Sequence, residues 1–143
     1  MALRCTVATP TRELFQGEIA YASIPGADGS YGVLPGHELF VGTNDKGILS
    51  LWLDSEGKER REFVIFKGAS QVFNDRVSVL GSFGIALEEI DVAAVRAEAE
   101  ELRQKAEALA KDEDEQSKIE LETTQTRLEW CDIQLNVAEG YAK

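Results

Sequence analysis

Apolar residues in the first ninety positions come in short runs broken by glycine, proline and acidic residues, whereas in the last fifty they recur every three or four positions. The first pattern predicts strands at 3–8, 18–24, 31–34, 39–42, 47–53, 62–67, 69–73, 76–81 and 84–88. Runs this short and this rich in Val, Ile and Phe point to an antiparallel sandwich or barrel, not to alternating strands and helices. Residues 54–57 (DSEG) and 74–75 (ND) fit hairpin turns. Leu34-Pro35-Gly36-His37 fits a type II turn, because proline presets the first central dihedral and glycine takes the positive φ of the second.

Beyond Ile90 glycine is absent until Gly140 and proline is absent altogether, while Ala, Glu, Leu, Lys, Arg and Gln dominate. That is helix composition. The Asp91 carboxylate is placed to cap the first helix at the positive end of its dipole. Val92, Val95, Ala99, Leu102, Ala106 and Leu109 form one heptad stripe, and Leu121, Thr124, Leu128, Cys131, Leu135 and Ala138 form a second. With the acidic run KDEDEQ at 111–116 as the tip, the two read as an antiparallel helical hairpin. The expected architecture is an N-terminal antiparallel β-sandwich over residues 1–88, followed by a C-terminal antiparallel α-helical hairpin over 89–143. The hairpin seam is thin. A buried leucine contributes about 1.5–3 kcal/mol, but three of these positions are alanine and one is threonine. Such a hairpin can close, and can reopen onto a better surface.

Charge narrows the function classes. The net charge is −11, with 12 acidic against 8 basic residues up to residue 90 and 14 against 7 after it. A chain this acidic is repelled by phosphate backbones, which excludes nucleic acid as the main partner. The start MALRCTVATP has no apolar core of signal-peptide length, and no window reaches the roughly 20 apolar residues of a spanning helix, so a soluble cytosolic protein is expected. Cys5 and Cys131 read as two buried thiols in a reducing compartment, with a disulfide between them left open.

The stretch GSYGVLPGHELFVG at 29–42 concentrates four glycines, a proline and His37, the one histidine of the sequence. It carries no recognisable catalytic set. The nearest phosphate-loop spacing, GTNDKG at 42–47, continues with Ile48-Leu49 instead of Lys and a hydroxyl residue. His37 lacks a paired nucleophile and orienting group, so an enzyme using it as general base is disfavoured. Two distant cysteines and one histidine do not make a zinc site, and the acidic tip lacks the ligand alternation of a calcium loop. Trp52, on the alternating run ILSLWL, is expected to face a core or an interface. Trp130 sits one step before the second stripe and is a candidate partner anchor.

Taken together, VATPTRELFQGEIAYASIPGADG, GSYGVLPGH, FKGASQVFNDRVSVL and IDVAAVRAEAE, in this order, resemble the epsilon subunit of the F-type ATP synthase across essentially the whole chain. Gly32-Val33-Leu34-Pro35-Gly36-His37 is the most specific element. The resemblance implies a ten-stranded sandwich with two helices, in a noncatalytic central-stalk subunit on the cytoplasmic face of a bacterial cell membrane. Its implied partners are the gamma subunit, the membrane c-ring and, when the hairpin extends, the alpha and beta subunits of the catalytic head, where it restrains ATP hydrolysis. By position, Ser30, Tyr31 and Gly32 would approach the c-ring and His37 the stalk interface. His37-Glu38-Leu39-Phe40 departs from the family's usual His, small residue, Pro, Leu.

Some members of that family bind ATP on the folded hairpin through Ile or Leu, Asp, two residues, then Arg-Ala. Here Ile90-Asp91 stand in place, Ala94-Val95 occupy the Arg-Ala positions, and Arg96 comes two residues late. Two residues turn a helical side chain by about 200°, so Arg96 is a poor substitute. An ATP-sensing module is the alternative function. No other cofactor is implied.

Overall fold

The β1 strand (Leu3–Ala8) shows the alternation of a half-buried strand: Leu3, Cys5 and Val7 are buried, Arg4 is exposed. The computed structural model describes residues 3–27, 29–36 and 39–142. Seven further strands follow: β2 (Glu13–Ile19), β3 (Tyr21–Gly26), β4 (Gly29–Val33), β5 (Phe40–Thr43), β6 (Gly47–Trp52), β7 (Arg60–Phe73) and β8 (Arg76–Ala86). After a 3-10 turn at Leu87–Glu89 come helices α1 (Val92–Ala110) and α2 (Glu115–Ala142). By contact the chain divides into two units, 1–89 and 90–143.

The expected strand at 18–24 is two strands that part at Ala20, where β2 leaves β1 and β3 turns to β6. The pairs expected at 62–67 and 69–73, and at 76–81 and 84–88, are instead single strands, β7 and β8. The breaks read at Gly68 and between Gly81 and Gly84 are where these long strands bend. Phe66 pairs with Phe83 and Gly68 with Gly81, so the register runs through the bend without a shift, one residue of each strand lying between the two pairs; the bend is made by positive φ at Lys67, 61°, and Gly68, 113°.

The bend sends each long strand through two layers. The second half of β7 pairs with β5, and the first half of β8 pairs with β1, which pairs with β2. The first half of β7 pairs with β6, then β3, then β4. Eight strands thus supply ten strand segments, five to a layer, and the tenfold count implied by the resemblance is met by continuous strands used twice. One pairing, β1 with β8, is parallel; a periodicity-based reading has no means of assigning strand direction. Between the layers lie Leu3, Val7 and Val79 from one side and Ile24, Leu49, Leu51 and Ile65 from the other, all fully buried.

In the hairpin, Val95 and Ala99 of α1 close against Cys131 of α2, with Ile90, Leu102, Leu128 and Leu135 packed around them. All twelve stripe positions read from the sequence are buried or half-buried. Asp91 caps α1, its carboxylate accepting from Ala94 N at 3.1 Å. Three ion pairs cross between the helices among the described residues: Arg96–Glu139 at 3.4 Å, Arg103–Asp132 at 3.3 Å and Arg127–Glu98 at 3.0 Å. Being exposed, each is worth only about 0–1 kcal/mol. Cys5 and Cys131 are both free and buried.

Burial pushes the Cys5 thiol up to about 12 from its ordinary 9.0. The folded chain therefore holds this proton after the unfolded chain has lost it. The resulting stability is complete below pH 9 and is lost as the pH rises toward 12. Tyr31, raised chiefly by burial, acts in the same direction. The urea midpoint of the sandwich is expected to fall between about pH 8 and pH 11, and more steeply in the parent than in Cys5→Ala. Equal slopes would show that the buried thiol contributes nothing.

Candidate functional site

The β3–β4 hairpin presents Ser30 and Gly32 as exposed residues, with Ser30 opposite Pro25 and Gly32 opposite Ser23. Tyr31 behaves differently. Its ring is half-buried against Phe40, with centroids 4.7 Å apart, and its hydroxyl is buried without a hydrogen bond of good geometry. Ser70 lies near enough to that hydroxyl to oppose the effect of burial on its pKa, yet Ser70 Oγ already donates to Asn44 Oδ1 at 2.6 Å. Gly32 is required by a neighbour, because a Cβ there would collide with the Tyr21 hydroxyl. Of the three residues read as a contact loop, two face solvent and the third buttresses them.

The turn end of this hairpin is tied to the β5–β6 connection. Ala27 N donates to Thr43 O at 3.3 Å and Asp45 N to Pro25 O at 2.9 Å. The buried Asn44 carries the tie onward: its backbone N donates to Gly68 O at 3.0 Å and its side chain to Leu80 O at 3.1 Å. One polar residue therefore links the β3–β4 hairpin to the bend of β7 and β8.

Pro35-Gly36 forms the expected turn, with Gly36 at φ 85°. Its amide donates to Asp75 Oδ1 at 2.7 Å. Asp75 belongs to the two-residue β7–β8 turn, where Asn74 and Asp75 both have positive φ, 50° and 58°. That conformation suits Asn and Asp better than other side chains and matches strand twist. His37, the last residue of the predicted turn, lies outside the described residues.

Beside this turn, the outer side of the β1-β8-β7-β5 layer exposes several large apolar side chains around the polar pair Gln71 and Ser78. Val41, Phe73 and Leu80 are 68%, 49% and 56% exposed, and Leu39, just before β5, is 64% exposed. The register places Val41 beside Gln71 and Leu80 beside Ala69, with Arg4 and Arg76 paired at the margin. In a chain of net charge −11, this is a patch edged by cations.

On the hairpin, the residues of the displaced ATP motif have other partners. Asp91 is occupied as the α1 cap, Arg96 reaches Glu139 across the hairpin, and Ile90 packs into the seam. Trp130 is half-buried on α2.

Residues 2–86 match the family model described as ATP synthase, Delta/Epsilon chain, beta-sandwich domain. The chain belongs to the ATP synthase delta/epsilon family. An ATP synthase epsilon chain of Solibacter usitatus is 35% identical over 98 residues, 68% of this chain and 71% of the relative. One from Leptospira borgpetersenii is 31% identical over 103 residues, 70% and 79% of the two chains. Among solved structures, a chain of the Euglena gracilis mitochondrial ATP synthase, OSCP/F1/c-ring, is similar with a TM-score of 0.60 and 29% identity, over 86% of this chain and 74% of that one. A chain of the Tetrahymena thermophila mitochondrial central stalk/c-ring shares the fold, with a TM-score of 0.54 at 12% identity over 94% and 97%. Among the described residues of this family member, no helix is long and apolar enough to cross a membrane.

Three features of the delta/epsilon sandwich escaped sequence reasoning: the Asn44 tie, the Asp75 clasp and the apolar face. The first two are side chain to backbone bonds between residues distant in sequence, and no local pattern marks them. The face was hidden because β5 and β8 look like ordinary alternating strands until both sides are seen. Asp75→Ala should speed hydrogen exchange at the Gly36 amide about tenfold or more and lower stability by about 1–2 kcal/mol. Asp75→Asn, which keeps an acceptor oxygen and tolerates positive φ, should retain most of both. An unchanged Gly36 exchange rate in the alanine variant would remove the clasp.

Proposed function

We propose that this chain is a noncatalytic central-stalk subunit of a proton-translocating F-type ATP synthase, bound peripherally at the cytoplasmic face of a bacterial membrane. The carrying observation is the exposed apolar face of Leu39, Val41, Phe73 and Leu80 on a domain of this family. A patch of large apolar side chains rimmed by charge is a protein-docking surface. Gamma is the partner assigned to it. His37 precedes Leu39 in the chain by two residues and joins this interface by position. Ser30 and Gly32, held by Tyr31, meet the c-ring from the tip of the β3–β4 hairpin. The sandwich then stands between rotor parts and passes rotation from one to the other, while chemistry stays in the catalytic head.

The 90–143 hairpin is the regulatory region in this reading. Its alanine-rich seam and exposed ion pairs make closure shallow, so a second surface can compete for the same stripes. Extended, it would reach the alpha and beta subunits, with Trp130 as an anchor, and restrain ATP hydrolysis. The alternative, an ATP sensor built on Ile90, Asp91 and Arg96, is weakened by the structural bonds that Asp91 and Arg96 already make.

Gamma from the same source should bind the full chain, and Val41→Glu with Leu80→Glu should weaken binding at least tenfold, about 1.4 kcal/mol, without loss of circular dichroism. Undiminished binding would move the interface elsewhere, and no binding by the parent would sink the stalk assignment. Separately, deleting residues 91–143 should raise ATP hydrolysis by the reconstituted enzyme at least twofold. An unchanged rate would remove inhibition, and saturable ATP binding lost in Asp91→Ala would promote the sensor.

A further inference from the structure

At one end of the β3-β4-β6 layer lies an open groove of about 430 Å³. Tyr21 and Trp52 form one wall, their rings 4.9 Å apart and tilted by 55°. Leu34 and Pro35 line the groove, Leu34 being 58% exposed, and Asp54 and Gly57 from the β6–β7 loop line it too. The arrangement is built, because Gly32 is kept bare by the Tyr21 hydroxyl above it and Gly57 has a φ of 75°. It borders the β3–β4 contact residues through Tyr21, which lies over Gly32, but its reading does not depend on what those residues meet.

Its chemistry is one-sided. The groove is lined by one acidic residue and two electron-rich rings, and no basic side chain lines it among the described residues. Of the nearby cations, Lys58 pairs with Glu56 at 2.7 Å, and Arg60 pairs with Glu62 at 3.3 Å while its guanidinium also stands over the Trp52 ring. Asp54 accepts from Lys58 N at 3.2 Å and Glu59 N at 3.0 Å, which uses two of about four acceptor positions on a carboxylate. Trp52 already attracts a guanidinium, since the Arg60 head lies 5.9 Å from its ring centroid.

We propose that this groove receives an arginine side chain presented by a partner polypeptide, its guanidinium between the Trp52–Tyr21 wall and the Asp54 carboxylate and its methylene stem along Leu34 and Pro35. A planar guanidinium stacks on an aromatic face and bonds a carboxylate with its edge, which an ammonium cannot do together. The groove is open rather than enclosing, which suits a side chain delivered from a neighbouring surface better than a free metabolite.

The test uses the full chain carrying Trp130→Phe, so that emission reports Trp52 alone, titrated with N-acetyl-arginine amide. Saturable quenching in the millimolar range is expected, at least tenfold weaker with the neutral citrulline counterpart and at least fivefold weaker in Asp54→Asn, which keeps an acceptor for the loop. Indole N–H shifts of Trp52 in nitrogen-15-labelled protein should follow the same order. Equal binding of citrulline, or no saturation, would overturn the site. Tighter binding of phosphocholine than of the arginine probe would overturn its assignment to a partner protein.

Discussion

Gly68 lies so close to the Leu80 carbonyl that a Cβ there would overlap it, and this contact makes the sandwich possible. With φ at 113°, the position is closed to ordinary side chains on conformational as well as steric grounds. It lets β7 pass from one layer to the other without losing β8, which bends alongside through Gly81. The Asn44 bonds to Gly68 O and Leu80 O then lock the β5–β6 connection to the bend, and the β3–β4 hairpin is hung from that connection. The exposed apolar side chains of one layer and the β3–β4 turn of the other are thereby placed by the same few atoms. Because both layers share β7 and β8, neither has a core to itself, and the unit is expected to melt as one.

The helical half was the more legible from sequence. A 3.6-residue period over five turns identifies the buried side, and every stripe residue from Val92 to Ala138 lies on it. The Asp91 cap was legible for the same reason, being a local bond three residues long. In the sandwich, β1 matched its expected bounds, whereas β2 was largely missed because ELFQG lacks a run of β-branched residues. The breaks assigned inside β7 and β8 came from treating glycine as punctuation, when here it permits a close approach of two backbones. As for the site, Ser30 and Gly32 are displayed as their polarity and smallness suggest, but Tyr31 is turned to Phe40 by a tertiary contact no pattern announces.

The two units are held by different forces. The sandwich rests on fully buried Leu, Ile and Val between two layers, which form or fail together. The hairpin rests on Ala99, Val95 and Cys131 and on ion pairs half-exposed to water. Screening at ordinary ionic strength acts on those pairs and spares the sandwich core. In a chain built this way the sandwich is the more cooperative part, and closure of the hairpin is the part that ionic strength can shift.

The turn between α1 and α2 contains no glycine and no proline; its residues, KDED, are charged but compatible with helix. Nothing covalent compels the bend. Folded back, the longer arm α2, of 28 residues, measures about 42 Å. Run straight as one helix, residues 92–142 would measure about 75 Å at 1.5 Å per residue. A straight form of the same segment would thus exceed the folded one by about 30 Å, close to the diameter of a small domain, and tertiary contacts would decide between them. In mechanical terms it would be a two-position ruler whose catch is a seam of leucine, valine and alanine.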